Sequence, residues 1–248
     1  MLNLDQHRAE RLAALEAEDG WLNLTDRVEL PTAKVSVGSG EGVDLRLSCG
    51  PAVLGILDPV ARTLTTEGKS LTFAASAGGF DQLRAGGLLL ELHVVDGQTA
   101  LRVRDLSKPR KADLRYFPTN PAWVIKASWQ ALTTPIAKEI GQKGGGATSV
   151  QLTHTAHFTH DGQEVTLLAT HWKGDKPMFV IRDQTSGTDT YAASRFLIGE
   201  DTTQDQITLD FNRAFTPPCG YSDFAICPLP PRENILPFRI EAGELSPA

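Results

Sequence analysis

The residue types that could do chemistry gather in the second half of the chain. His154 and His171 stand on either side of a turn, Asp183 and Asp210 close apolar runs, and Arg195 and Arg213 follow them. Imidazole and carboxylate groups brought together serve as general acids and bases. His154, His171, Asp183 and Asp210 are therefore the catalytic candidates, with Glu241 behind them. Arg195, Asn212, Arg213, Tyr191 and Trp123 are the expected ligand-binding groups, the guanidinium groups as anion clamps and the rings as apolar walls. His154 and His171 are also half of a metal site whose remaining ligands the sequence does not show. Each residue has a structural alternative. The histidines fit a hydrogen-bonded core position, Asp210 and Asn212 fit loop backbone satisfaction, and Arg213 fits a loop clamp.

The reactive alternatives are few. Cys219, between Pro218 and Gly220, becomes a nucleophile if a neighbouring histidine lowers its pKa; otherwise it is a packing residue. Cys227 follows closely enough for a bridge, which a reducing compartment does not require. There is no G-x-S-x-G elbow and no H-E-x-x-H helix. The run GQKGGGATS lacks the lysine spacing of a phosphate-binding loop and reads as a flexible connection. No cofactor is specified.

The elements that must position these residues are mostly strands. Residues 5–18 read as an amphipathic helix capped by Asp5, with Leu12 and Leu15 on one stripe. Short alternating runs bounded by Gly, Pro or Asp follow, ending in a hairpin with Asp96-Gly97 at its turn. They predict a β-sandwich-like domain over 20–108, after a helix over 1–19. A charged proline-containing linker at 107–111 precedes an antiparallel β-barrel or sandwich over 112–248. In that domain Trp123, Ile125, Ala127 and Trp129 alternate with Val124, Lys126 and Ser128, the pattern of a strand. Asp161-Gly162 sets a second hairpin in which His160 faces Gln163, Phe158 faces Val165, Ala156 faces Leu167, His154 faces Ala169 and Leu152 faces His171. That register turns His154 and His171 toward the core, within reach of each other, and leaves His160 solvated. Asp183 and Arg195 end up on adjacent strands, where an ion pair is reasonable. Asp210 and Asn212 share one strand face, and the chain closes on a strand-like ILPFRIEAGE.

Composition excludes several classes. With 248 residues, 41% of them hydrophobic and 22% charged, the chain has the make-up of a globular protein with room for two domains. Its net charge of −6 and the lack of a basic stripe argue against a nucleic-acid partner. No apolar run approaches the roughly 20 residues that span a bilayer, and the first residues lack the apolar segment of a signal peptide. A cytoplasmic location and no membrane partner are the expectations, and a homodimer is compatible with the sequence.

Two resemblances add to this reading. Residues 36–57, SVGSGEGVDLRLSCGPAVLGIL, weakly resemble the forkhead-associated sandwich, although Ser39 stands where that family has its phosphothreonine-binding arginine and no Ser-x-x-His follows. RYFPTNPAW, RDQTSGTDTY, SRFL, LDFNRAFTPPC and CPLPPRENILPFRIEAGE closely resemble the bacterial and archaeal domain-of-unknown-function family 1684 over about residues 115–244. The N-terminal helix with GWLNL is similar to that family's two-part members. Phe196 and Phe215 stand where its members usually carry Tyr, and Gly220-Tyr221 replaces an Ala-aromatic pair. The resemblance implies a fold but no activity. The function expected from the residues is small-molecule binding in a pocket of the C-terminal half. An acid–base hydrolase or isomerase, or a partner-binding protein docking through the N-terminal sandwich, are the alternatives.

Overall fold

The computed structural model describes residues 3–76, 78–95, 97–143 and 145–247. It is mainly β, with one α-helix, Leu4–Glu16, at its start. The helix begins one residue earlier than the periodicity suggests and is capped by Asn3, whose side-chain oxygen accepts the Asp5 N–H at 2.7 Å. Among the described residues no helix is long and apolar enough to cross a membrane. Two compact units emerge: Ala13–Ala112, and Met1–Leu12 together with Asp113–Ala248.

The unit of residues 13–112 is built from two five-stranded sheets. One orders Leu24–Glu29, Gln98–Asp105, Leu88–Val95, Asp81–Ala85 and Ala74–Ala75; the other orders Leu45–Arg46, Val35–Gly38, Gly55–Asp58, Thr63–Thr66 and Lys69–Thr72. Leu88, Leu90, Leu92, Leu101 and Val103 from the first pack with Val37, Leu57 and Leu64 from the second in one core. Pairing is antiparallel except for Val37 beside Leu45. Of the expected Asp96-Gly97 turn, Asp96 lies outside the described residues; the flanking register holds, with Gln98 opposite Val95 and Asp105 opposite Leu88. Alternation leaves Glu91, His93, Arg102 and Arg104 on the other face of the first sheet, where they are nevertheless buried. Glu91 bonds both guanidinium groups, Arg102 at 3.1 Å and Arg104 at 3.2 Å.

The unit carrying residues 113–248 also has two open sheets. The first runs Gln163–Leu168, Ala147–His160, Val124–Gly141 and Gln206–Asp210; the second runs His171–Lys173, Lys176–Ile181 and Arg195–Ile198. Trp129, Ala156, Leu167, Ile207 and Leu209 of one sheet meet Phe179, Ile181 and Leu197 of the other. Of the two architectures expected here, this is the sandwich: no closed barrel forms among the described residues. The glycine-rich stretch expected as a flexible connection is instead the tight end of the longest hairpin. One strand runs to Gly141 and the next starts at Ala147, with Gly145 and Gly146 at positive φ as side-chain-free turn positions.

Three local expectations are corrected. The hairpin register holds for His160–Gln163, Phe158–Val165 and Ala156–Leu167, but the strand stops at Leu168. Leu152 pairs with Ile136, and His171 opens the second sheet opposite Met178. The strand through Asp210 ends there, because Asp210 accepts the Asn212 N–H at 3.1 Å and caps a 3₁₀ turn, Phe211–Arg213. Asp210 and Asn212 thus meet through a turn rather than along a strand face. The segment 235–244 is not a strand; it is tied down by single bridges, Arg182–Ile235 and Tyr116–Glu244.

Candidate functional site

The C-terminal unit carries an open cleft of ≈ 700 Å³ lined by residues 117–120, Ala122, Trp123, His160, Asp161, Arg239 and Glu241. Local structure places its walls. Asn120 caps the 3₁₀ turn Pro121–Trp123 by accepting the Ala122 N–H at 2.9 Å, and Pro121 supplies the pre-set φ. Trp123 therefore enters the core immediately before its strand begins. Asp161, at φ +48°, and Gly162, at φ +75°, turn the histidine hairpin so that His160 comes back over Trp123. The two rings stack with centroids 4.7 Å apart, and Phe238 closes on His160 at 4.5 Å. Contrary to the sequence expectation, His160 is half-buried in an aromatic wall rather than solvated.

The polar residues singled out from the sequence hold this cleft from behind. Asn212 accepts the Asn120 N–H at 2.9 Å and donates to the Asn120 carbonyl at 3.0 Å. It also donates to Asp210 at 3.0 Å, and the other Asp210 oxygen accepts from Arg213 Nε at 3.0 Å. Arg213 in turn reaches Glu200 at 3.1 Å. Asp183 and Arg195 form the expected ion pair at 2.5 Å, with both side chains almost wholly inaccessible. Arg195 also donates to the carbonyls of Ile240 and Ala242, and Asp183 receives the Thr185 N–H and hydroxyl. The buried pair thus fixes segment 238–242, which brings Arg239 and Glu241 to the cleft and Phe238 against His160. Burial pushes the Arg195 guanidinium down, against the pull of Asp183.

Arg239 completes the rim. Its guanidinium bonds Asp189 and Glu241, each at 2.8 Å, and reaches the Gln184 carbonyl at 3.3 Å. Those bonds, with that of Thr188, hold the Asp189 carboxyl below its usual range. The charged lining is thus one guanidinium, Arg239, against the carboxylates of Asp161 and Glu241, the latter paired with it.

The remaining candidates lie elsewhere. His154 stacks on Trp129 at 4.8 Å, edge-on to the exposed Trp172, with Nδ1 on the Thr153 hydroxyl. His171 bonds the Thr170 hydroxyl, and burial pushes its imidazole down. The two histidines belong to different sheets, and no hydrogen bond or ring contact joins them among the described residues. No group of three or more His, Cys, Asp or Glu side chains is arranged for a metal ion among the described residues. Tyr191 donates to the Cys219 carbonyl at 2.8 Å, away from the cleft.

Sequence reasoning missed Asn120, Phe238, Arg239 and the pair Arg11–Glu244. Arg11, on the helix, donates to Glu244 at 2.8 Å and to the Thr216 carbonyl at 2.8 Å, and lies over the Phe215 ring. Asn-Pro before a tryptophan was a readable turn signal. Nothing in the sequence marks Arg11 as the partner of a residue 233 positions away.

A second open cleft, of ≈ 820 Å³, lies in the unit of residues 13–112 and includes Glu29, Arg62, Phe80, Asp81 and Thr99. Its Arg62 and Asp81 are paired with each other.

Comparison with known proteins places the first cleft within a recognised region. The family described as "Protein of unknown function (DUF1684)" matches residues 112–245. Among solved structures, an uncharacterised protein of Haloarcula marismortui determined by solution NMR is 31% identical; the match covers 53% of this chain and 75% of that one, with a TM-score of 0.45. No curated protein matches.

Proposed function

The chain belongs to the DUF1684 family, and from that premise we propose that the family region is a small-molecule-binding β-sandwich whose site is the cleft beside Trp123 and His160. One observation carries this reading: a stacked aromatic wall borders a ≈ 700 Å³ opening, and the backbone on both sides of it is pinned by buried polar groups. Binding sites combine apolar rings with a few fixed polar atoms on a rigid support, and preorganisation lowers the entropy cost of capture. Buried polar groups cost stability unless they are fully paired, so a chain that invests Asn212, Asp210, Arg195 and Asp183 in holding two loops gains positional accuracy there.

The ligand class follows from charge. Among the lining residues Arg239 is paired with Glu241, and with Asp189 behind it, which leaves the Asp161 carboxylate, 3.6 Å from the His160 ring, as the uncompensated charge. A flat, neutral or positively charged molecule is favoured over an anion. Asp183 and Asp210 hold guanidinium groups and loop N–H groups, which supports positioning over acid–base chemistry.

Thermal-shift and tryptophan-fluorescence titration with amine-bearing and carboxylate-bearing heteroaromatic compounds tests the reading. Saturable binding of the amine-bearing set, weakened roughly two- to tenfold by His160→Ala, is expected, given that one stacked ring contributes about 0.5–1.5 kcal/mol beyond its buried area. Binding that ignores both His160→Ala and Glu241→Gln, or no saturable binding, removes the proposal.

A further inference from the structure

The proline-rich excursion that frames neither cleft wall holds two cysteines in contact. Cys219 sits in a 3₁₀ turn, Pro218–Gly220, and Cys227 lies eight residues on. The Cys219 N–H donates to Cys227 Sγ at 3.2 Å. Both are free and almost completely buried. Lys143 ties the two ends together: its backbone N–H donates to the Cys227 carbonyl at 2.9 Å and its ammonium to the Cys219 carbonyl at 2.9 Å. Tyr191 donates to that same carbonyl at 2.8 Å. Pro217 and Pro218 before the pair and Pro228 after it restrict the backbone, and Leu229 bonds Gly141 at 2.7 Å. Gly220 is packed so closely that a Cβ there would meet Thr216 at 2.3 Å. The chain therefore holds Cys227 Sγ against the backbone of Cys219 with little entropy left to lose.

We propose that Cys219 and Cys227 form a reversible redox pair in which hydrogen peroxide, or a peroxide of similar size, oxidises Cys219 and Cys227 resolves the product as a disulfide. In the first step the Cys219 thiolate attacks one peroxide oxygen. The O–O bond breaks, and the departing hydroxide takes a proton to become water, leaving a sulfenic acid on Cys219. In the second, Cys227 attacks Cys219 Sγ. The S–O bond breaks, and hydroxide leaves with the Cys227 proton as a second water. The sum is two thiols and one peroxide giving one disulfide and two waters.

The environment separates the two roles. The Cys227 side chain, opposed by burial and aided by Tyr191 and Lys143, pulls the Cys219 thiol down. The same contact and burial push Cys227 up. Cys219 therefore carries more thiolate at neutral pH than an ordinary cysteine. Burial of both sulfurs excludes bulky disulfide oxidants and favours a two-oxygen molecule. Cys49, whose thiol burial pushes up, is an internal reference.

The full-length protein is treated with limiting hydrogen peroxide, blocked with a maleimide and mapped by non-reducing mass spectrometry. The expected result is a Cys219–Cys227 peptide link, reversed by dithiothreitol, formed on the order of ten times faster than Cys49 is modified. In Cys227→Ser, dimedone labels a sulfenic acid on Cys219; in Cys219→Ser, Cys227 is not labelled. Circular dichroism establishes that both variants fold. The proposal is overturned if the native pair stays unmodified and reacts only after unfolding, if Cys219 proceeds to sulfinic acid without a link, or if the sulfenic acid appears on Cys227.

Discussion

Replacing Asn212 by alanine separates a framing role from mere core filling. Asn212 is 3% exposed and makes three side-chain hydrogen bonds, two to the Asn120 backbone and one to Asp210. Truncation strips the Asn120 N–H of its partner and leaves the Asn120 carbonyl only the Trp123 N–H at 3.0 Å, while the Asp210 oxygen keeps the backbone N–H of residue 212 at 3.1 Å. At about 1 kcal/mol for each net bond, rising toward 2 where water does not replace it, the loss is about 2–4 kcal/mol. For a chain of this size that lowers Tm by roughly 5–12 °C. Asn234→Ala is the matched control: Asn234 is equally buried and makes three comparable bonds, to Leu168 N–H, Leu168 O and Val180 O, on another part of the unit. Urea unfolding measures both losses, and the His160 Hε1 chemical shift reads the stack on Trp123. Asn212→Ala is expected to move that resonance and weaken ligand capture, whereas Asn234→Ala costs similar stability and leaves the resonance in place. If the two variants shift His160 equally, or if Asn212→Ala costs less than about 0.5 kcal/mol, the framing argument fails.

Three further outcomes follow from the same structure. Arg195→Met strands the carboxylate of Asp183 in a site where both side chains are 1% exposed or less, and a loss of about 3–5 kcal/mol in urea unfolding is expected. Gly243→Ala, at φ +81° with a Cβ placed 2.5 Å from the Ala214 carbonyl, is expected to cost about 2–4 kcal/mol; unchanged stability would show that this turn is not held as described. His93 is buried beside Arg102, and desolvation with that charge pushes its pKa down to about 4. Its folded pKa lies below the unfolded value, so the unfolded state binds the proton first and stability is lost as pH falls from about 6.5 toward 4. Wild type is expected to lose about 2 kcal/mol more than His93→Gln between pH 7.5 and pH 5; parallel pH curves would refute this.

Much of the fold was legible locally. Alternation predicted the strand after Trp123, on which Ala127 and Trp129 face the core, because strand side chains alternate whatever the partner strand is. Asp161-Gly162 set the hairpin register as far as Ala156–Leu167, since a two-residue turn leaves little freedom. The pairing Asp183–Arg195 followed from two strands and the turn between them. Errors began where local rules compete. The hairpin strand stops at Leu168 because Asn234, 66 positions away, takes the Leu168 N–H and carbonyl, and this sends His171 into the other sheet. Asp210 ends its own strand by capping a turn, a choice that depends on Asn212 finding Asn120.

The sequence alone determined the β-rich class, the family and the polar residues worth attention, since composition, period and turn chemistry are properties of neighbours along the chain. Only the tertiary structure decided what those residues do. Arg195 and Asn212 bond segments 45 and 92 positions away, with Asp183 and Asp210 as their ionic and hydrogen-bonding partners, and so tie down the backbone beside the cleft. The wall itself, Trp123 with His160 and Phe238, joins three distant stretches. Such contacts carry no local signature, because their partners are chosen by the packing of whole sheets.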